Sequence, residues 1–162
     1  MLRVLAYFAI IITLEDNIED RFAVMAINFH PHAGTVLICD FRGYEEPEIC
    51  KKRPVVVITP RLPYRSGLAT VVPISLTAPK HDQPYVVRLS KNYHPDECDE
   101  LPCWAKCDLV ASVRMQRLDR FKTGRRKWET PRMSGEDLQA VRLGVVHGLG
   151  LGGLLKWPDS TK

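Results

Sequence analysis

The chain has 162 residues, 45% of them hydrophobic and 26% charged, the balance of a globular chain with enough apolar material for one core. Lys and Arg outnumber Asp and Glu by 23 to 19, a net charge of +4 that is too mild to identify a nucleic-acid partner by itself. This excludes a disordered chain, collagen, a coiled coil and a polytopic membrane protein, and twelve prolines beside ten glycines favour short elements joined by stiff loops.

In chain order, the first feature is an apolar run from Val4 to Leu14, preceded by Arg3. It falls well short of the ~18–20 residues of a membrane helix. A secretory signal is conceivable, but the acidic Glu15–Asp20 that follows holds no small-residue cleavage site. The run is therefore either an amphipathic extra helix or sequence upstream of a start at Met25. The second is favoured, because the strand-like pattern begins only after Met25. Residues 1–24 are taken as an extension and 25–162 as a single domain.

Strands are expected over Thr35–Phe41, Pro54–Pro60, Gly67–Ile74, Tyr85–Leu89 and Trp104–Val113, separated by glycine- and proline-rich turns. Regular short strands of this kind indicate a small barrel or sandwich. The period then changes. Ser134 followed by Asp137 has capping-box spacing, and Leu138, Val141, Val145 and Leu149 fall on one helix face, with Gly148 and Gly150 to end it.

Five cysteines (Cys39, Cys50, Cys98, Cys103, Cys107) are an odd number, which argues against a secreted disulfide framework and for a reducing, cytoplasmic setting. His94, Cys98, Cys103 and Cys107 are of zinc-binding types, but their spacings do not resemble the two-residue knuckles of structural zinc sites. No metal is assigned.

Three segments hold residues suited to phosphate chemistry. Lys51-Lys52-Arg53-Pro54 gathers three cations at the mouth of a strand, either a solvated loop or a phosphate site in which the arginine fork is the strongest donor. Ser75 and Thr77 stand just past a strand end, near Lys80 and His81; hydroxyls there either close local turns or donate to a ligand. Lys106 and Asp108 share one face if Trp104–Val113 is a continuous strand, as an ion pair or a cation and base for phosphate. After that strand, Arg114, Arg117, Arg120, Lys122, Arg125, Arg126, Lys127 and Arg132 are opposed only by Asp119 and Glu129. This local excess of +6 exceeds that of the whole chain, and Phe121 and Trp128 are interleaved, which suggests a nucleic-acid partner.

Taken in order, these segments resemble the PemK/MazF family of type II toxin–antitoxin toxins. Pro31-His32-Ala33-Gly34-Thr35-Val36-Leu37-Ile38-Cys39-Asp40-Phe41 is similar to the family's P-x-x-G-D opening strand that ends in D-F, with Thr35 for the usual Asp. Glu48 and Arg53-Pro54-Val55-Val56-Val57-Ile58 resemble its E-Q-x-G-x-R-P signature without the Gln and Gly. Pro73-Ile74-Ser75 resembles its proline-hydroxyl segment, and Lys106-Cys107-Asp108 the R-C-D of the PemK/Kid branch. Pro47 stands where that branch has a loop histidine.

The resemblance implies a mainly β fold with a C-terminal helix, an SH3-like small barrel that dimerises. It also implies a sequence-specific, metal-independent endoribonuclease with no cofactor, which cleaves single-stranded mRNA by 2′-hydroxyl attack to leave cyclic phosphate and 5′-hydroxyl ends. Arg53 then stabilises the pentavalent phosphate, Ser75 or Thr77 donates to a phosphate oxygen, Asp108 is the base and Lys106 a second phosphate contact. Glu48, Lys51, Lys52, Lys80 and His81 are assigned to substrate binding, with Tyr44, Tyr64 and Trp104 as base-stacking candidates. The implied partners are RNA and an acidic antitoxin segment that folds on binding, with no membrane. The alternatives are a DNA gyrase poison like CcdB, or a catalytically silent RNA-binding module.

Overall fold

The computed structural model describes residues 27–156; the extension over 1–24 lies outside them. The chain forms β1 (Val36–Cys39), β2 (Arg53–Val57), β3 (Leu68–Ser75), β4 (Val86–Arg88), β5 (Trp104–Lys106), β6 (Ala111–Arg114), β7 (Leu118–Asp119), the hairpin β8 (Phe121–Gly124) and β9 (Lys127–Glu129), and helix α1 (Gly135–Gly148). The principal sheet is antiparallel and runs β4-β5-β3-β2-β1-β7, with β6 also on β3.

Both faces of the central strands β1, β2 and β3 are covered, which is why they read as apolar runs rather than alternations. Val36, Val56, Val72, Ile74 and Ala105 point to one face, where Val141 and Val145 of α1 close over them. Leu37, Cys39, Val55, Val57, Val71, Val113 and Leu118 point to the other. The second cluster is wrapped by the sheet itself: β6 leaves the edge of β3, turns through Met115–Arg117, and returns as β7 alongside β1. A mainly β domain with a C-terminal helix is therefore present, as expected.

The expected strand Trp104–Val113 is not continuous. A 3-10 turn over Cys107–Leu109 divides it, so that β5 pairs with the end of β3 and β6 with its beginning. The reason is α1, which lies so close that a Cβ on Gly144 would come within 2.7 Å of Cys107 Sγ, and one on Gly148 within 3.1 Å of Asp108 Cα. The period-two argument that set Lys106 and Asp108 on one face fails with the strand. The basic stretch is also more structured than its composition suggested, since it carries β7, β8 and β9.

The capping expectation is met: Ser134 Oγ accepts from the Asp137 N–H at 3.2 Å. Asp137 does more than occupy a capping position. Buried, it accepts from Ser90 N–H and Oγ–H and, at 2.7 Å, from Tyr93 O–H, while the Ser134 N–H donates to Tyr93 Oη. The start of the helix is thus tied to the long β4–β5 connection. Gly150, just beyond, takes a φ of +72°, the left-handed conformation glycine supplies after a helix.

Candidate active site

A cleft of about 270 Å³ opens where β1, β2 and β3 meet the β4–β5 connection. Its floor is Val36, Ile38, Pro54 and Ile74; its polar lining is Lys52, Arg53, Ser75, Thr77, Asn92, Tyr93, His94 and Glu97. Sheet register explains why residues far apart in sequence meet here. Val55 is opposite Pro73 and Cys39 is opposite Arg53. Continued by two residues, the β2–β3 register sets Arg53 level with Ser75 at the same end of the sheet.

Arg53 is exposed and its guanidinium has no partner among the described residues, so all five donors face solvent and cleft. Ser75 Oγ accepts from the Thr77 N–H at 3.1 Å, the local turn expected of such hydroxyls, and this leaves its own O–H proton available to donate. Lys52 approaches Asp40 at 3.9 Å. Arg42 grips Asp40 more closely, with contacts of 2.6–3.0 Å, and its hydrogen bonds hold the Asp40 carboxyl below its ordinary range. Asp119, beside Lys52 and Arg120, is instead pushed up by burial.

Other expected residues fall around this cleft or away from it. Glu48 lies in the β1–β2 loop, its carboxylate accepting from the Glu45 N–H at 3.1 Å, and Lys51 is exposed beside Lys52. Lys80 and His81 are exposed beyond Thr77 and do not line the cleft. Lys106 stands two residues past Trp104, the partner of Ser75 on β5, outside the lining. Asp108 is farther still, its backbone against Gly148 at the C-terminal end of α1. The cleft instead meets the N-terminal end of α1 through Tyr93.

Of the aromatics, Trp104 is beside the cleft by its pairing with Ser75. Tyr44 packs edge-on against Phe41 under Arg117, whose guanidinium also donates to the Asp40 and Arg42 carbonyls, so one cation of the basic stretch is a structural clamp. Tyr64 is fully exposed in the β2–β3 turn, at the end of the sheet away from Arg53. Arg120 and Lys122 flank Trp128 at 5.6 and 5.9 Å, and Phe121 of the same hairpin meets the His94 ring edge-on at 4.8 Å. The basic hairpin therefore adjoins the cleft.

The His94, Cys98, Cys103 and Cys107 set does not come together. Cys107 is buried under α1, Cys103 donates to the Lys91 carbonyl, and Cys98 donates to Glu100 on the surface. Among the described residues no three His, Cys, Asp or Glu side chains converge as a metal site. Burial pushes the thiols of Cys39 and Cys107 up to about 12, and that of Cys103 upward. No helix among the described residues is long and apolar enough to cross a membrane.

Sequence reasoning missed Asn92 and Glu97 altogether and gave His94 only a metal role. The available signal was the length and polarity of the connection between the fourth and fifth strands, His94 to Pro102.

The fold is shared with solved structures. MazF of Deinococcus radiodurans superposes with a TM-score of 0.55 at 22% identity, over 76% of this chain and 99% of that one. A mycobacterial endoribonuclease solved with its cognate antitoxin gives 0.52 at 15%, over 80% and 100%. The MazE–MazF complex of D. radiodurans gives 0.52 at 20%, over 76% and 99%. The uncharacterized protein YifN of Escherichia coli (strain K12) is 33% identical over 121 residues, 62% of this chain and 80% of its own length. The profile for the PemK-like, MazF-like toxins of type II toxin–antitoxin systems matches residues 32–146, the span holding β1 through most of α1 and every residue of the cleft, and the chain belongs to that family.

Proposed function

We propose that the chain is the toxin of a type II toxin–antitoxin pair and cleaves single-stranded RNA without a metal. The observation that carries this reading is the Arg53 guanidinium, without a partner among the described residues, set level with the Ser75 hydroxyl in one cleft with a further cation, Lys52. In the reaction, the 2′-hydroxyl attacks the adjacent phosphorus and the bond to the 5′-oxygen breaks, leaving a 2′,3′-cyclic phosphate and a 5′-hydroxyl. Negative charge grows on the non-bridging oxygens as the pentavalent phosphate forms. Arg53 faces that charge with fixed donors, and Ser75, its lone pair occupied by the Thr77 N–H, aims its proton at one of the oxygens. Lys52 and, from further out, Lys51, Lys80, His81 and Lys106 hold the flanking phosphates. Glu48 and the β1–β2 loop select bases over the cleft, and Trp104 offers a stacking face.

The same reading supplies the partners. A cytoplasmic homodimer is expected, together with an antitoxin whose acidic segment folds on the basic surface formed by the β8–β9 hairpin and its neighbours. The endoribonuclease and MazF structures solved with antitoxins support that partnership through the shared fold.

The test is digestion of a mixed-sequence RNA in excess EDTA with end mapping, alongside Arg53→Ala. Discrete cuts bearing cyclic-phosphate and 5′-hydroxyl ends, lost in the variant, are expected. Intact RNA at every protein concentration refutes the nuclease and directs attention to DNA supercoiling.

A further inference from the structure

The cleft holds a carboxylate that neither the motifs nor the family resemblance identify. Glu97, half-buried in the β4–β5 connection, lines it together with Arg53 and Ser75. Its Oε2 accepts from Asn92 Nδ2 at 2.6 Å. Asn92 is buried and cannot flip: its Oδ1 is taken by the His94 N–H at 2.9 Å, a group that can only donate, so its amide nitrogen must face Glu97. One carboxylate oxygen is thus fixed and the other has no partner among the described residues. Glu97 makes no ion pair with Arg53 or Lys52 among the described residues, although all three line one cleft. A guanidinium and a carboxylate that share a cleft without touching leave space for a charged group between them. His94, beside them, accepts the Asp96 N–H on Nδ1 at 3.3 Å, which leaves Nε2 as its proton-bearing nitrogen.

We propose that Glu97 is the general base of this site, with Asn92 as its positioning residue and the Nε2–H of His94 as an additional donor to a phosphate oxygen. The inference rests on the nuclease reading above. The free oxygen of Glu97 takes the proton of the 2′-hydroxyl as the 2′-oxygen bonds to phosphorus. The bond from phosphorus to the 5′-oxygen breaks, and the departing oxygen takes a proton from water. Asp108, the base that the resemblance implies, is replaced in this role because it lies against Gly148 at the far end of α1.

The experiment compares wild type, Glu97→Gln, Glu97→Ala and Arg53→Ala on the mapped RNA substrate. Affinity is measured separately on the same strand carrying a 2′-deoxy residue at the scissile position, which cannot be cut. Gln retains an oxygen for Asn92, so the connection keeps its shape. The expected result is a kcat lowered about 100-fold or more in Glu97→Gln, with affinity for the uncut strand within about twofold of wild type. Added acetate is expected to restore part of the rate to Glu97→Ala, which a purely structural role would not allow. If wild type cuts, Arg53→Ala does not, and Glu97→Gln cuts within about threefold of wild type, the base is elsewhere while the nuclease reading stands. If Glu97→Gln unfolds, absence of acetate rescue in Glu97→Ala overturns the assignment. A wild type that leaves RNA intact overturns both readings.

Discussion

At its N-terminal end α1 meets the rest of the molecule through polar contacts, whereas at its C-terminal end it lies against bare backbone. Asp137 and Tyr93 tie the first turn to Ser90 and the β4–β5 connection, while beyond Tyr93 the Arg53 guanidinium and one oxygen of Glu97 have no partner among the described residues. At the other end Gly144 and Gly148 admit Cys107 and Asp108 to contact distance. Close packing without side chains fixes a backbone; unpaired polar groups around a cavity await a ligand. The Lys106-Cys107-Asp108 segment resembles a family motif with Lys106 in place of its arginine, and in this chain its central residue is part of the core.

The sharpest way to break this contrast is to exchange the carboxylates. Arg53→Ala is expected to lower RNA cleavage by about 100-fold or more. Asp108→Asn is expected to lose at least about tenfold less activity than Glu97→Gln, measured by single-turnover cleavage. A reversed order would make the far end of the helix the working one.

Asp137→Ala tests the tie between helix and cleft. It leaves the buried Tyr93 hydroxyl without its acceptor, together with the more exposed N–H and hydroxyl of Ser90, a loss of about 2 kcal/mol by denaturant titration. Because Tyr93 lines the cleft, the fraction still folded should also cleave more slowly.

At the packed end, Gly144→Ala inserts a methyl 2.7 Å from Cys107 Sγ and 2.8 Å from Val87 Cγ2, and about 1–3 kcal/mol of stability is expected to go. Activity per folded molecule should change little, since the cleft is at the opposite end of α1. A Gly144→Ala protein of full stability but lowered kcat would show that the two ends communicate.

The smallest effect is chemical. With their thiols pushed up to about 12 by burial, Cys39 and Cys107 remain protonated and shielded at pH 8, so iodoacetamide should label the exposed Cys98 long before either, as peptide mass spectrometry would read. Labelling of Cys107 at a rate similar to Cys98 would mean that α1 lifts from the sheet readily.

Local chemistry was sufficient for much of this protein. Apolar runs bounded by proline and glycine located β1 to β4 to within a few residues; in β1 to β3 both faces are largely buried, so few polar positions interrupt the run. Ser134, Asp137 and the periodic Leu138, Val141 and Val145 located α1, because capping and helical period are set by neighbours in the chain. The same reasoning singled out Arg53, Ser75 and Thr77, which line one cleft. It failed at Trp104–Val113, where two glycines some forty residues away decide that the strand must turn.

It also failed at Asn92 and Glu97, which carry no motif. Their meaning comes from antiparallel register, which brings the ends of β2 and β3 level, and from Asp137, which draws the β4–β5 connection over them. The class of fold and the cationic half of the cleft are legible in the residues alone, since both depend on residue type and short spacing. Which carboxylate lines the cleft with that half follows from folding, because a distance across a cleft is set by the packing of elements and not by their order.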